Sequence, residues 1–196
     1  NHTTDHVTFL YLFAVAITLM ILIFISSTQS WATDSWTGNV NFTLGAKALD
    51  EDDWEPVDEH TEVGIHVDFR KQDWPVNIAI SLLASVSEEE YVAGYKVESS
   101  TSELRFGIKK IWEPTPTMRP FLGIGLGLIN AELDIEGYDI DDSTLGFWLT
   151  GGIYWTINNS FNLGFELGFS QGEVEAEGYD ANAGGGHAAL LLGYHW

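Results

Sequence analysis

The ten residues Phe161–Ser170 read FNLGFELGFS. Phe161, Leu163, Phe165, Leu167 and Phe169 are large and apolar, and between them stand Asn162, Gly164, Glu166 and Gly168. A period of two belongs to a β-strand, whose successive side chains leave opposite faces. A soluble strand would turn the Phe/Leu face to a core and leave the glycine face in water. Exposed strand glycines pack nothing there and cost backbone entropy. In a narrow barrel crossing a bilayer the same residues fit the other way round. The apolar face meets lipid, the glycines make room inside for larger side chains, and Glu166 finds its partner across the lumen.

The alternation recurs along the chain. VNFTLGAKA (Val40–Ala48), EVGIHVDFR (Glu62–Arg70), VNIAISLLASV (Val76–Val86) and ELRFGIKKIW (Glu103–Trp112) repeat it in the first half. FLGIGLGLINA (Phe121–Ala131), TLGFWLTGGIYWTI (Thr144–Ile157) and HAALLLGYHW (His187–Trp196) repeat it around the opening stretch. Lys110 interrupts one apolar face and is expected at a membrane edge or a bulge. The pattern predicts eight strands. Short turns at 71–74, 113–117 and 158–160 alternate with longer acidic loops expected at 50–59, 88–100, 134–142 and 172–184. The fold class expected is all-β, an eight-stranded antiparallel up-and-down transmembrane barrel. Tilted strands of about 9–11 residues suffice to cross the hydrocarbon, and eight of them close around an interior filled by side chains. A lipocalin-like soluble barrel or a sandwich is the rival, and both need the glycine-rich, charged face outside. Trp36, Phe69, Trp74, Trp112, Trp155, Phe161, Tyr194 and Trp196 fall at strand ends near the short turns, where rings suit a water–lipid boundary.

Composition narrows the partners. A formal net charge of −21 over 196 residues excludes a nucleic-acid binder, which needs Lys and Arg to replace counterions. The absence of cysteine excludes disulfides and thiolate metal sites. Phe9–Ile25 is apolar without a charge, and Ser30 and Ala32 are small residues placed for cleavage after Ala32. Residues 1–32 therefore read as a secretory signal peptide or, uncleaved, an anchor, and residues 33–196 as the barrel.

RPFLGIGLGL (Arg119–Leu128), FNLGFELGFS and a final strand ending on an aromatic residue, behind a signal-like segment, resemble the OmpA/OmpX-type outer-membrane β-barrel superfamily. The resemblance covers about residues 36–196. It implies a monomer in the bacterial outer membrane, with loops facing the cell exterior and lipid and lipopolysaccharide around it. It also implies that Tyr194 and Trp196 carry the signal read by the barrel-assembly machinery; Trp196 stands where Phe is commonest.

Two groups of residues are candidates for function. Lys47, His66, Asp68, Arg70, Glu103, Arg105, Lys109 and Glu166 fall on the less apolar faces. Buried charges need partners, so these are expected to form a barrel-interior polar network that plugs the lumen, or else to line a narrow polar path for solutes. Most of the 29 acidic residues crowd the long loops. They form a solvated surface, or a cap binding Ca or Mg ions and through them lipopolysaccharide. Asp139, Asp141 and Asp142 are the weak metal candidates, although DIDD lacks the EF-hand pattern. A lipid A-modifying enzyme is the further alternative. His66, His187, Asp68, Ser81, Ser85 and Ser170 are the residues such chemistry would draw on, but no serine adjoins His187 in sequence. No catalytic residue and no cofactor is expected.

Overall fold

The computed structural model describes residues 36–54, 56–91, 95–135, 138–176 and 179–196. The segment expected to be a signal peptide or anchor, residues 1–32, lies outside them. In chain order the elements are β1 (Trp36–Ala48), α1 (Glu51–Trp54), β2 (Glu59–Lys71), β3 (Asn77–Tyr91), β4 (Tyr95–Ile111) and β5 (Met118–Ile135). Then come β6 (Tyr138–Ile157), β7 (Phe161–Gln171), β8 (Glu173–Ala176), β9 (Tyr179–Asn182) and β10 (Gly185–His195). Seven consecutive strands, β1 to β7, form a meander, and β10 pairs with both β7 and β1 to close the barrel. β8 and β9 form a separate two-stranded ribbon. The expected eight strands are thus the eight staves, all antiparallel.

Closure sets the tilt. Following register partners from Gly38 through Phe69, Ile78, Ile108, Ile124, Leu149, Phe169 and Gly186 returns to β1 at Ala48, ten residues further along. A stagger of that size over eight strands corresponds to a tilt of roughly 40° and a lumen that side chains can fill. The seam extends to the last residue: Gly38 and Trp196 exchange both backbone hydrogen bonds at 3.1 Å.

Faces follow the alternation. Phe165 and Leu167 on β7 are exposed while Asn162, Glu166 and Ser170 on the same strand are buried. Leu122, Ile124, Leu126 and Leu128 point outward from β5, and Gly123, Phe121 and Ile129 inward. The inward glycines accommodate one ring: a Cβ would stand 2.7 Å from Trp148 at Gly107 and 3.0 Å from it at Gly123. Lys110 keeps the regular pairing with Leu122 and forms no bulge; its Nζ donates to Pro75 O at 2.6 Å, at the strand's end. A three-residue turn joins β6 to β7. Ser160 N–H donates to Ile157 O, and Asn158 and Asn159 take φ of 52° and 61°, a region asparagine tolerates better than most residues.

Two of the four expected loops are strand over most of their length. β3 runs on to Tyr91 and β4 begins at Tyr95; β5 reaches Ile135 and β6 begins at Tyr138. Alternation persists there with polar residues. Val97, Ser99 and Thr101 are buried, while Glu98 and Ser100 take the outward parity. Charge marks where a stave leaves lipid for water and does not end its pairing. The other two loops carry α1 and the β8–β9 ribbon.

Candidate functional site

Among the described residues, the lumen holds most of the buried polar groups, in two layers. The layer toward the long loops centres on Glu103. Its Oε1 accepts from Lys47 Nζ at 2.8 Å and from Ser170 Oγ at 3.0 Å, and its Oε2 from Arg105 Nε at 2.8 Å. Lys47 uses all three of its donors, giving the other two to Thr101 Oγ1 at 2.8 Å and Ala183 O at 2.9 Å. Arg105 also donates from Nη2 to His187 Nε2 at 2.8 Å, and His187 Nδ1 lies 2.7 Å from Glu62 Oε2. Two cations therefore face two carboxylates. The chain of hydrogen bonds continues from Thr101 to Ser85, from Ser85 to His60, and from His60 Nε2 to Val57 O.

A small apolar cluster covers this layer. Leu49, Trp54, Ile129, Ala131, Val174 and Ala183 are buried together, with Leu133 and Ala181 packed against them. Trp54 Nε1 donates to Asn182 O at 2.8 Å, and Asn182 N–H donates to Asp53 Oδ2 at 2.9 Å, tying α1 to the β8–β9 ribbon.

The layer toward the short turns is built on amides. Asp68 Oδ1 accepts from Asn39 Nδ2 at 2.8 Å and Asn77 Nδ2 at 2.6 Å. Asn162 Nδ2 donates to Asn39 Oδ1 and Asn41 Oδ1, and accepts from Thr156 at 2.9 Å. Lys109 Nζ is 3.6 Å from Asp68 Oδ2 and 4.7 Å from the centroid of the Phe121 ring. Between the layers, His66 bonds Ser81 Oγ at 2.9 Å and lies 3.9 Å from Glu166.

Of the eight residues expected in the interior network, Lys47, Glu103 and Arg105 meet directly, and Asp68 meets Lys109. His66 and Glu166 occupy the middle. Arg70 departs from the expectation. It stands at the short-turn mouth, where Nη1 donates to Gln72 O and Trp74 O at 3.1 Å each. Glu62, close in sequence to the acidic stretch 50–59, is 3% exposed inside the barrel. The amides Asn39, Asn41, Asn77 and Asn162 and the hydroxyls of Ser85 and Thr101 complete the network without carrying charge. Their signal was position on the less apolar face.

Ser170, His187 and Glu62 have the spacing of a nucleophile, a base and its orienting acid: Ser170 Oγ is 2.9 Å from His187 Nε2. Arginine can only donate, so Arg105 occupies the Nε2 lone pair and leaves Nδ1–H to donate to Glu62. The Ser170 hydroxyl lies within hydrogen-bond distance of both His187 Nε2 and Glu103 Oε1 and is fully buried, at 0% exposure.

The outer surface beyond the apolar belt is acidic. Register sets Glu88 beside Glu98, Glu98 beside Asp134, and Asp134 beside Asp139, a row of carboxylate residues across four strands. Glu132 and Asp141 face each other in the next outward row. Like charges directly opposite each other in a sheet are destabilising. Of the weak metal candidates, the side chain of Asp139 lies outside the described residues. Asp141 is exposed on the outward parity, and Asp142, on the inward parity, accepts from Ser143 N–H at 2.8 Å. Among the described residues no three His, Asp or Glu side chains gather to hold a metal ion.

Residues 16–194 match the family model described as "Outer membrane protein beta-barrel domain". No curated protein sequence matches the chain. Among solved structures, Neisserial surface protein A is similar over 84% of this chain and 99% of its own, at 12% identity and a TM-score of 0.57. Ail of Yersinia pestis is similar over 84% and 100%, at 8% identity and a TM-score of 0.56. OprG of Pseudomonas aeruginosa is similar over 84% and 96%, at 11% identity and a TM-score of 0.53. At such identities the likeness concerns the fold.

Proposed function

This chain belongs to the outer membrane protein β-barrel family, and on that premise we propose that it acts as a plugged barrel with a structural and interaction role in the bacterial envelope. One observation carries this reading: the ion-pair layer around Glu103 lies beneath the apolar cluster of Leu49, Trp54 and Ile129. A lumen filled in this way leaves the two ends as the working surfaces. We place the long-loop end outside the cell and the short turns in the periplasm. The rows Glu88–Glu98–Asp134–Asp139 and Glu132–Asp141 then stand just above the lipid belt, at the level of lipopolysaccharide phosphates. Carboxylate and phosphate repel each other, and hard divalent ions, which favour oxygen ligands, would bridge them. An Ail structure holds the heparin analogue sucrose octasulfate. The acidic wall here favours cations over a sulfated ligand of that kind.

The barrel in lipopolysaccharide-containing bilayers is expected to gain thermal stability with millimolar Ca²⁺ or Mg²⁺ and to lose it with chelator. Glu132→Gln/Asp141→Asn is expected to blunt that response. An unchanged midpoint in the parent protein would remove the ion bridge from the proposal. In planar bilayers the folded protein is expected to show no discrete openings; regular single-channel steps would replace the plugged reading with that of a solute channel.

A further inference from the structure

Four of the chain's eight basic residues, Arg70, Lys71, Lys110 and Arg119, stand at the short-turn end, where the turns carry only Asp73 and Glu113 as acids. Glu113 is taken by Arg119, whose Nη1 lies 2.5 Å from its Oε1. The other three cations surround the β2–β3 turn. Arg70 closes the lumen mouth through the Gln72 and Trp74 carbonyls. Lys110 reaches from β4 along the outer wall to Pro75 O, using one of its three donors. Lys71, on the outward parity at the other side of the turn, holds its Nζ 5.5 Å from the Trp36 ring centroid. Trp36 packs edge-on against Trp74 at 5.6 Å and, tilted, against Phe69 at 5.9 Å. Trp36 and Trp74 are themselves exposed.

Neutral carbonyls satisfy the hydrogen bonds of Arg70 and Lys110 and cancel none of their charge. Three cations, Arg70, Lys71 and Lys110, against the one acid Asp73 therefore leave this turn net positive and backed by tryptophan at the lipid boundary, on a chain that is otherwise strongly acidic. We propose that this turn binds the phosphodiester headgroup of an anionic phospholipid. The phosphate meets the remaining Lys110 donors, Lys71 adds its charge from across the turn, and the glycerol and upper acyl carbons rest on Trp36, Trp74 and Pro75. Basic side chains at an anionic lipid surface and aromatic rings at the interface each favour this arrangement. The leaflet, the periplasmic one, rests on the orientation proposed above. The binding does not, so protease access at the long-loop end of whole cells and lipid binding in detergent fail independently.

The test is titration of the detergent-folded barrel with phosphatidylglycerol and with phosphatidylcholine, counting retained lipid by native mass spectrometry. Phosphatidylglycerol is expected to be retained preferentially. Lys110→Gln is expected to weaken it by about fivefold and Lys71→Gln/Lys110→Gln by more, as each basic group adds one such increment. Lys110→Arg is expected to retain binding. The shift in gel mobility between unheated and heated samples shows that each variant has folded. Equal retention of the two lipids, or phosphatidylglycerol affinity unmoved by the double substitution, overturns the proposal.

Discussion

Replacing Glu103 by alanine is expected to destabilise the folded barrel by about 3–5 kcal/mol, the range for removing one partner of a buried ion pair. The magnitude follows from what is left behind. Lys47 and Arg105 would remain 1% and 2% exposed in the lumen with no carboxylate between them, and Ser170 would lose its acceptor. Urea titration of the barrel in lipid vesicles measures the loss. Lys47→Met alone is expected to be damaging too, since it leaves Glu103 with Arg105 and the neutral Ser170 hydroxyl. The double substitution is expected to cost less than the sum of the two, with a coupling energy of about 0.5–3 kcal/mol, because neighbours in one network are not additive. A Glu103→Ala loss below about 1 kcal/mol would mean that water, not Glu103, solvates these cations.

Trp148→Ala is expected to have an effect of similar size for an unrelated reason. The ring is 2% exposed and lies over the positions of Gly107, Gly123 and Gly127, with Nε1 donating to Leu126 O at 3.0 Å and the Arg105 guanidinium 6.0 Å from its centroid. Its removal leaves a trough lined by glycines, which have no side chains to collapse into the space. Trp→Ala in a packed interior costs about 3–5 kcal/mol, and the poor scope for relaxation points to the upper part of that range. Trp155→Ala provides the comparison in the same unfolding titration. That ring is 39% exposed on the outer face, where lipid can refill the gap, so its loss is expected to be smaller. Equal losses for the two tryptophans would contradict the packing argument.

The staves were legible because every lipid-crossing segment obeys one period, and FNLGFELGFS contains both faces in ten residues. Lumenal charges such as Lys47, Glu103 and Arg105 were legible for the same reason. Reading failed where parity and charge gave opposite cues. Glu62 sits among acidic neighbours in sequence, yet its parity with His66 and Asp68 turns it inward to His187. The stretches 88–100 and 134–142 look like loops by composition, because strand staves that extend into water lose the apolar half of the pattern. Arg70 has inward parity but stands at the mouth, where turn carbonyls are nearer than any lumenal carboxylate. The pairing of Ser170 with His187 was invisible: it is a cross-strand neighbour relation set by barrel register, and nothing local in the chain encodes it.

The seam between β1 and β10 sets a condition on how this molecule can come into being. Thr37 Oγ1 donates to Trp196 O across a separation of 159 residues. Every hairpin from β1 to β7 can form from contacts close in sequence, but this contact waits for nearly the whole chain. Closing so long a loop costs entropy before any seam bond returns it, and until it closes two strand edges face hydrocarbon with unpaired amides. The barrel has no stable half-built form within the bilayer. Its last step must be the one that joins its ends, and whatever assists its insertion has to hold those two edges until they meet.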